Sequence, residues 1–341
     1  MTVYNKRGET QEVTLRLARP EDTPDIITLL IKQYGNYYPG ADFYDADFVR
    51  QVIKNEDIYI AVAELSGGLL AGITGANQKT PFAGTLEWFM LTIRPSCRGF
   101  GLGKHLGSFL HQTLPAERYA CTYGHCMSLD AVSQGILASL GHRITGALLN
   151  CYRVDTHAEN FAGLALPFKQ NLIVTCLPGS KKDAGLLYIP PVHAGYIRGA
   201  YESLGTTHTL REGEQVEPGG VPSDCAVIQK EEHRYCELRA EEIGLDFENI
   251  LDDVLKQYGA LEGQSFNVFI NLNDPAAPWV CRLLEDRGFS FAGLHALAGP
   301  REYMILHYSP AIPVPFDRIA VLPGFAGEFA YIREQYEGRK R

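Results

Sequence analysis

The sequence predicts an α/β protein, of the α+β kind, with a mixed central sheet flanked by helices and built as two units. Three observations predict it. Apolar residues switch repeatedly between the alternation of strands and the three-to-four spacing of helices. The 341 residues exceed one domain of about 100–150 residues, and 45% hydrophobic against 21% charged residues is enough to fill two cores. Both halves also end in the same order: strand, helix, strand.

The elements follow in turn. After a polar leader, VTLRLAR (13 to 19) alternates as a strand. Pro20, Glu21 and Asp22 then open a helix with Ile26, Ile27, Leu30 and Ile31 at helical spacing. A second amphipathic stretch runs from Asp45 to Lys54. IYIAVAEL and LLAGITGA flank Ser66, Gly67 and Gly68 as a hairpin. GTLEWFMLTI (84 to 93) reads as a long buried strand, followed by a Gly-rich turn and a helix. A strand at 118 to 123, a helix from about Leu129 to Leu140 and the strand HRITGALLNCY close the first unit. The expected boundaries are 1–155 for this unit, 156–170 for a connector, 171–310 for the second unit and 311–341 for a C-terminal extension. The second unit opens with the strand NLIVTCL and crosses a polar loop at 211 to 224. Strands at CAVIQK and RYCELRA, the helix FENILDDVLKQYG, the strand FNVFINL, the helix APWVCRLLEDRG and two last strands follow. An internal echo joins the halves: Gly141-His142 and Gly288-Phe289 each follow an apolar helix, and each precedes a further glycine, Gly146 or Gly293, by the same spacing.

Charge and composition exclude several classes. Lysine plus arginine is 31 against 40 for aspartate plus glutamate, a net charge of −9, with no basic run to hold a phosphate backbone. Nucleic acid is not an expected partner. No stretch reaches the ~18 apolar residues of a membrane span and the N-terminus carries no apolar leader, so a cytoplasmic protein without a membrane partner is expected. Eight scattered cysteines form no CxxC pair, so reduced thiols and no metal are expected.

RGFGLGK (98 to 104) carries the chemistry. Three glycines after a strand and at a helix start leave backbone N–H groups open, and the helix dipole adds positive potential: an anion site. Counting excludes two phosphate motifs. Gly99 to Gly103 encloses three residues rather than four, and His105 follows Lys104, so this is no Walker A loop. A dinucleotide fingerprint would need glycine at 104 or 106, where Lys104 and Leu106 stand.

The remaining pattern, Arg98-x-x-Gly101-x-Gly103 after a strand ending LTIRP, resembles the signature of the GNAT superfamily of acyl-CoA N-acyltransferases. The element order from 13 to 152 is similar to that family's order. The resemblance implies a GNAT-like acyl-CoA N-acyltransferase fold, with acetyl-CoA as co-substrate held by Arg98, Gly99, Phe100, Gly101, Leu102, Gly103 and Lys104. Leu91 and Ile93 would be the strand positions nearest the thioester. Glu87 matches a strand glutamate that serves as general base in several members. Among Leu86, Trp88, Phe89 and Met90, a carboxylate is also suited by desolvation to that work. The family's proton-donating tyrosine falls at Leu137, a departure that leaves the acid open among Tyr123, His125, Cys126, Ser128 and Ser133. His125 is the donor singled out, and Cys126 as a nucleophile lacks a fixed base. Tyr34, Tyr37 and Tyr38 would wall the acceptor groove, or simply pack with Phe43 and Tyr44.

The second half resembles the family through NLNDPAAPWVCRLLEDRGFSFAG, but AEEIGLDFEN puts one glycine and three glutamates where a phosphate turn would lie. It is expected to be degenerate, completing the acceptor pocket or mediating a homodimer. The expected activity is acyl transfer from coenzyme A to a primary amine on a small molecule or peptide. The alternative is an acyl-CoA sensor without turnover.

Overall fold

The computed structural model describes residues 1–35, 38, 40–115, 118–152, 169–179, 185–213, 216–220 and 222–339. The first half contains β1 (Thr2–Tyr4), β2 (Thr10–Leu17), α1 (Thr23–Tyr34), α2 (Ala46–Lys54), β3 (Ile58–Leu65), β4 (Leu70–Asn77), β5 (Thr85–Ile93), α3 (Leu102–Thr113), β6 (Cys121–Met127), α4 (Val132–Ser139), β7 (Arg143–Tyr152) and β8 (Gln170–Pro178). The polar leader is not free coil, since β1 pairs antiparallel with β2. Asp45 caps α2 by accepting from the backbone amides of Asp47 and Phe48 at 2.8 and 3.3 Å. In α1 the core face is Ile26, Leu29 and Leu30, whereas Ile31 is exposed. Ile26 and Leu30 belong to both the expected and the observed face, with Leu29 in place of Ile27 and Ile31.

The second half contains β9 (Leu186–Ile189), α5 (Ala194–Leu204), β10 (Thr209–Glu212), β11 (Asp224–Lys230), β12 (Tyr235–Glu242), α6 (Phe247–Tyr258), β13 (Ser265–Asn271), α7 (Ala277–Asp286), β14 (Ser290–Ala298), β15 (Arg301–Tyr308) and α8 (Ala326–Arg339). Among the described residues, all strands but β9 and β10 form one mixed sheet, in the order β1-β2-β3-β4-β5-β6-β8-β7-β14-β15-β13-β12-β11.

That order corrects the expected boundary near 170. β8 does not open the second unit; it lies between β6 and β7, antiparallel to both. Leu172, Ile173, Val174 and Cys176 are all buried, so the strand has apolar faces on both sides and is at home in mid-sheet. Most of the expected connector, 156 to 168, lies outside the described residues.

The five strands β11-β12-β13-β15-β14 repeat the order and directions of β4-β5-β6-β8-β7, including one parallel pair in each set. The two sets meet back to back at a narrow seam, where Gly146 of β7 pairs with Gly293 of β14. These are the echoed glycines. A Cβ on Gly293 would lie 2.4 Å from the Gly146 Cα and 2.8 Å from the Thr145 carbonyl oxygen, so neither backbone tolerates a side chain. The C-terminal segment then straps the halves together. Gln134 on α4 donates to the Ala320 carbonyl (2.8 Å) and accepts from the Leu322 amide (3.2 Å), while Phe329 and Ile332 of α8 are buried. Among the described residues, no helix is long and apolar enough to cross a membrane.

Candidate functional site

The site begins where two parallel strands part. β5 and β6 pair only from Thr85–Cys121 to Trp88–Gly124. At Met90 the backbone takes φ 62°, and the register against β4 shifts opposite it, between Ile73 and Gly75. This bulge keeps the end of β5 on β4 while it leaves β6. A wedge opens between the strands, with Leu91 and Ile93 half-buried on its β5 side. The corresponding pair in the second half does not open: β12 and β13 stay paired from Tyr235–Ser265 to Ala240–Ile270.

Past β5 the chain turns into α3. Gly99 (φ 87°) and Gly101 (φ 72°) take left-handed conformations, and a Cβ on Gly99 would meet nothing within 4 Å. Gly103 serves differently: its missing side chain lets α3 approach Ile136 of α4, whose Cδ1 would lie 2.9 Å from a Cβ. The Arg98 amide donates to the Pro95 carbonyl and the Lys104 amide to the Gly101 carbonyl. Among the described residues no such bond is found for the amides of Gly99, Phe100, Gly101, Leu102 and Gly103. Open donors therefore span 99 to 103, narrower than the expected 98 to 104. Phe100 and Leu102 are buried anchors and can serve only through their backbone. The Arg98 guanidinium reaches Gln33 on α1 (2.8 Å) and the Ile93 carbonyl (3.3 Å), and Lys104 is exposed. Five clustered N–H groups without a backbone partner at the start of a helix fit a diphosphate.

Glu87, two residues into the parallel ladder, holds the Nδ1 of His125 on β6 at 3.1 Å; both side chains are about one-quarter exposed or less, at 25% and 20%. The structure thus brings together the two residues singled out for proton transfer. The Nε2 of His125 is buried and has no hydrogen-bond partner among the described residues. Tyr123, in register with Glu87, is held protonated by burial, reinforced by the neighbouring Glu87 charge. The rings of Tyr34 and Tyr38 lie 5.1 Å apart, tilted at 49°, and Tyr38 lies near enough to Glu87 for its carboxylate to add to burial in raising the phenol pKa. Tyr44 accepts from the Tyr38 amide (2.8 Å) and donates to the Gly35 carbonyl (2.9 Å), which pins this loop. Tyr37 lies outside the described residues.

Other candidates are structural. Burial pushes the Cys126 thiol up to about 12, which removes it as a nucleophile. Leu137 is buried against Gly124. His142 is buried between the hydroxyls of Thr122 (3.1 Å) and Thr175 (3.3 Å), and burial lowers its pKa to about 3.

The second half supplies residues the sequence reading did not name. His295 of β14 is fully buried, its ring 5.4 Å from that of His125 and 4.7 Å from that of Tyr123, and desolvation keeps it neutral. On β12, Arg239 pairs with Glu237 at 2.9 Å, lies 5.3 Å from the Phe82 ring and donates to the Pro81 carbonyl at 3.3 Å. Lys230 stands 5.3 Å over the ring of Tyr152, a phenol whose pKa is raised by burial and, among smaller effects, by the Glu87 charge. The only sequence signal for this convergence was the glycine echo, since His295 follows Gly293 by two residues.

No family model matches the chain, and neither does any curated protein. Solved structures similar to about half of it include an N-acetyltransferase from Staphylococcus aureus Mu50 (16% identity, 49% of this chain and 98% of that one, TM-score 0.40). A Salmonella typhimurium protein solved with its cofactor acetyl-CoA is 18% identical over 51% of this chain and 97% of that one, with a TM-score of 0.41. The spermidine/spermine N-acetyltransferase of Vibrio cholerae is 17% identical over 50% and 96%, with a TM-score of 0.38. Scores of this size carry no activity or substrate across. The chain is an α/β protein with a large mixed sheet flanked by helices, and these acetyltransferases are similar to one half of it.

Proposed function

We propose that the first half transfers an acyl group from a coenzyme A thioester to an amine. One observation carries the reading: five open backbone donors, at 99 to 103, stand at the mouth of the wedge between β5 and β6. In this reading those donors hold the coenzyme's diphosphate, and the pantetheine arm runs past Ile93 and Leu91 toward Glu87. Glu87, oriented by His125, takes a proton from the amine as its nitrogen bonds to the thioester carbon. The carbon–sulfur bond breaks, and the departing thiolate is protonated by water. The second half, whose parallel strands stay closed and whose turn is acidic, holds no coenzyme. It walls the acceptor side with Lys230, Glu237, Arg239 and His295. The half-buried carboxylate of Glu87, near Tyr38 and Tyr152, favours a cationic amine, on a small molecule or a peptide. The test is thiol release from acetyl-CoA across a panel of amines: amine-dependent release is expected, and none with any amine overturns turnover.

A second reading, an acyl-CoA sensor, is favoured by one observation: Leu137, where the resembled family places its tyrosine, is core. Stoichiometric coenzyme A binding without thiol release would select it.

A further inference from the structure

A second polar cluster is built from elements that carry neither the turn nor the Glu87–His125 pair. His193 ends the single turn before α5, and Cys281 and Glu285 lie one helical turn apart on α7, hence on one face. All three residues are buried, and the His193 ring nitrogen, the Cys281 sulfur and a Glu285 oxygen lie within 4.8 Å of one another.

The hydrogen bonds around His193 accommodate the tautomer protonated at Nδ1. Its ring stacks on Phe291 at 4.1 Å, and its Nδ1 lies 2.8 Å from the Tyr331 hydroxyl. That hydroxyl donates its one proton to the Val192 carbonyl at 3.0 Å, so its oxygen accepts from Nδ1–H. The Nε2 then faces Glu285 Oε1 at 3.2 Å. In that tautomer Nε2 and the Glu285 carboxylate turn lone pairs toward each other, and a cation fits between them; the same Oε1 also pairs with the Arg339 guanidinium. A proton on Nε2 is one candidate. The Cys281 sulfur points to the other, because it adds a soft third ligand to an imidazole and a carboxylate, the donor set that selects zinc-type ions. Ligand-to-ligand edges of a tetrahedral zinc site are roughly 3.3–3.8 Å, given bonds of about 2.0–2.3 Å. The three donors reach that geometry by closing about 1 Å. The Nδ1–H bond to Tyr331 is the outer support a metal-bound histidine uses. A cavity of about 450 Å³ lined by Pro190, Val192, Cys281, Glu285 and Arg339 adjoins the cluster. Arg339, in the last turn of α8, shares the Glu285 carboxylate and balances its charge when no metal is bound.

We propose that His193, Cys281 and Glu285 bind one divalent zinc-type ion through Nε2, Sγ and a carboxylate oxygen. The fourth position faces the cavity. On binding, the Cys281 thiol gives its proton to solvent. The site joins α7 to the segment that enters α5, and through Tyr331 and Arg339 it holds α8.

Cobalt(II) titration of the purified, chelator-treated full-length protein tests this. The expected result is one equivalent bound with a thiolate-to-cobalt charge-transfer band, displaced by one equivalent of zinc and absent from Cys281→Ser. No band in the wild type, or an undiminished band in Cys281→Ser, overturns the proposal. Should Cys281→Ser fail to fold, the wild type decides alone: zinc is expected to raise its Tm and to remain bound at one per chain after desalting. An unchanged Tm with no retained zinc overturns the proposal.

Discussion

Replacing Gly101 with valine separates the phosphate cradle from mere chain stability. Gly101 has φ 72°, and a Cβ there meets nothing closer than His105 at 3.9 Å, so the cost is backbone conformation rather than collision. Holding a branched residue in that region costs about 1–2 kcal/mol, and Tm should fall by several degrees. Relief of the strain reorients the amides at 99–103 that the proposal assigns to the diphosphate. Losing two hydrogen bonds to a charged group, at about 1.5–3 kcal/mol each, weakens coenzyme A binding by about 10²- to 10⁴-fold. Gly68, in the turn between β3 and β4, is the matched control, with φ 81° and nothing within 4 Å of a Cβ. Calorimetric titration of Gly101→Val and Gly68→Val should show similar losses of stability, with affinity lost only in the first. Equal coenzyme affinity in the two variants would refute the cradle.

Glu87→Gln should lower kcat by about 10²-fold or more with little change in KM for acetyl-CoA; a rate within twofold of wild type would remove Glu87 from the base role. His142 sets an acid sensitivity. Its folded pKa is about 3 against an ordinary 6.5, so below pH 6.5 the unfolded chain takes up a proton that the folded chain refuses. Stability from this group is full above pH 6.5 and falls by about 1.4 kcal/mol per pH unit toward pH 3. Unfolding free energies from urea titrations at pH 7 and pH 5 should differ less in His142→Gln than in wild type, by about 2 kcal/mol; an identical pH dependence contradicts the assignment. Gly293→Ala forces a Cβ into the Gly146 backbone at φ 105°. It should cost about 1–3 kcal/mol from overpacking beyond its backbone strain, and an unchanged denaturation midpoint would mean the halves do not meet there.

Local patterns made much of this legible. The β3–β4 hairpin, β5 and the turn at 99 to 103 were readable because alternation and glycine clustering are short-range signals. The glycine echo was readable as a likeness between the halves, and its glycines fall at the seam, where only glycine permits backbones to approach as Gly146 and Gly293 do. What was not legible is long-range. Nothing in NLIVTCL says that it inserts between β6 and β7, because an all-apolar strand fits any buried slot. The parting of β5 from β6 depends on the bulge at Met90, an unremarkable residue in sequence. His295 and Arg239 reach the first half's site from more than 110 residues away along the chain. Glu87 was found as an ionisable group in an apolar run, but its pairing with His125 is set by the parallel register.

Hydrogen–deuterium exchange tests the central claim most directly, since the claim concerns particular amides. With saturating coenzyme A, exchange at residues 99 to 103 should slow sharply, while the acidic turn at 241 to 247 stays unchanged. Unaltered exchange at 99 to 103 in protein that demonstrably binds the coenzyme would contradict it.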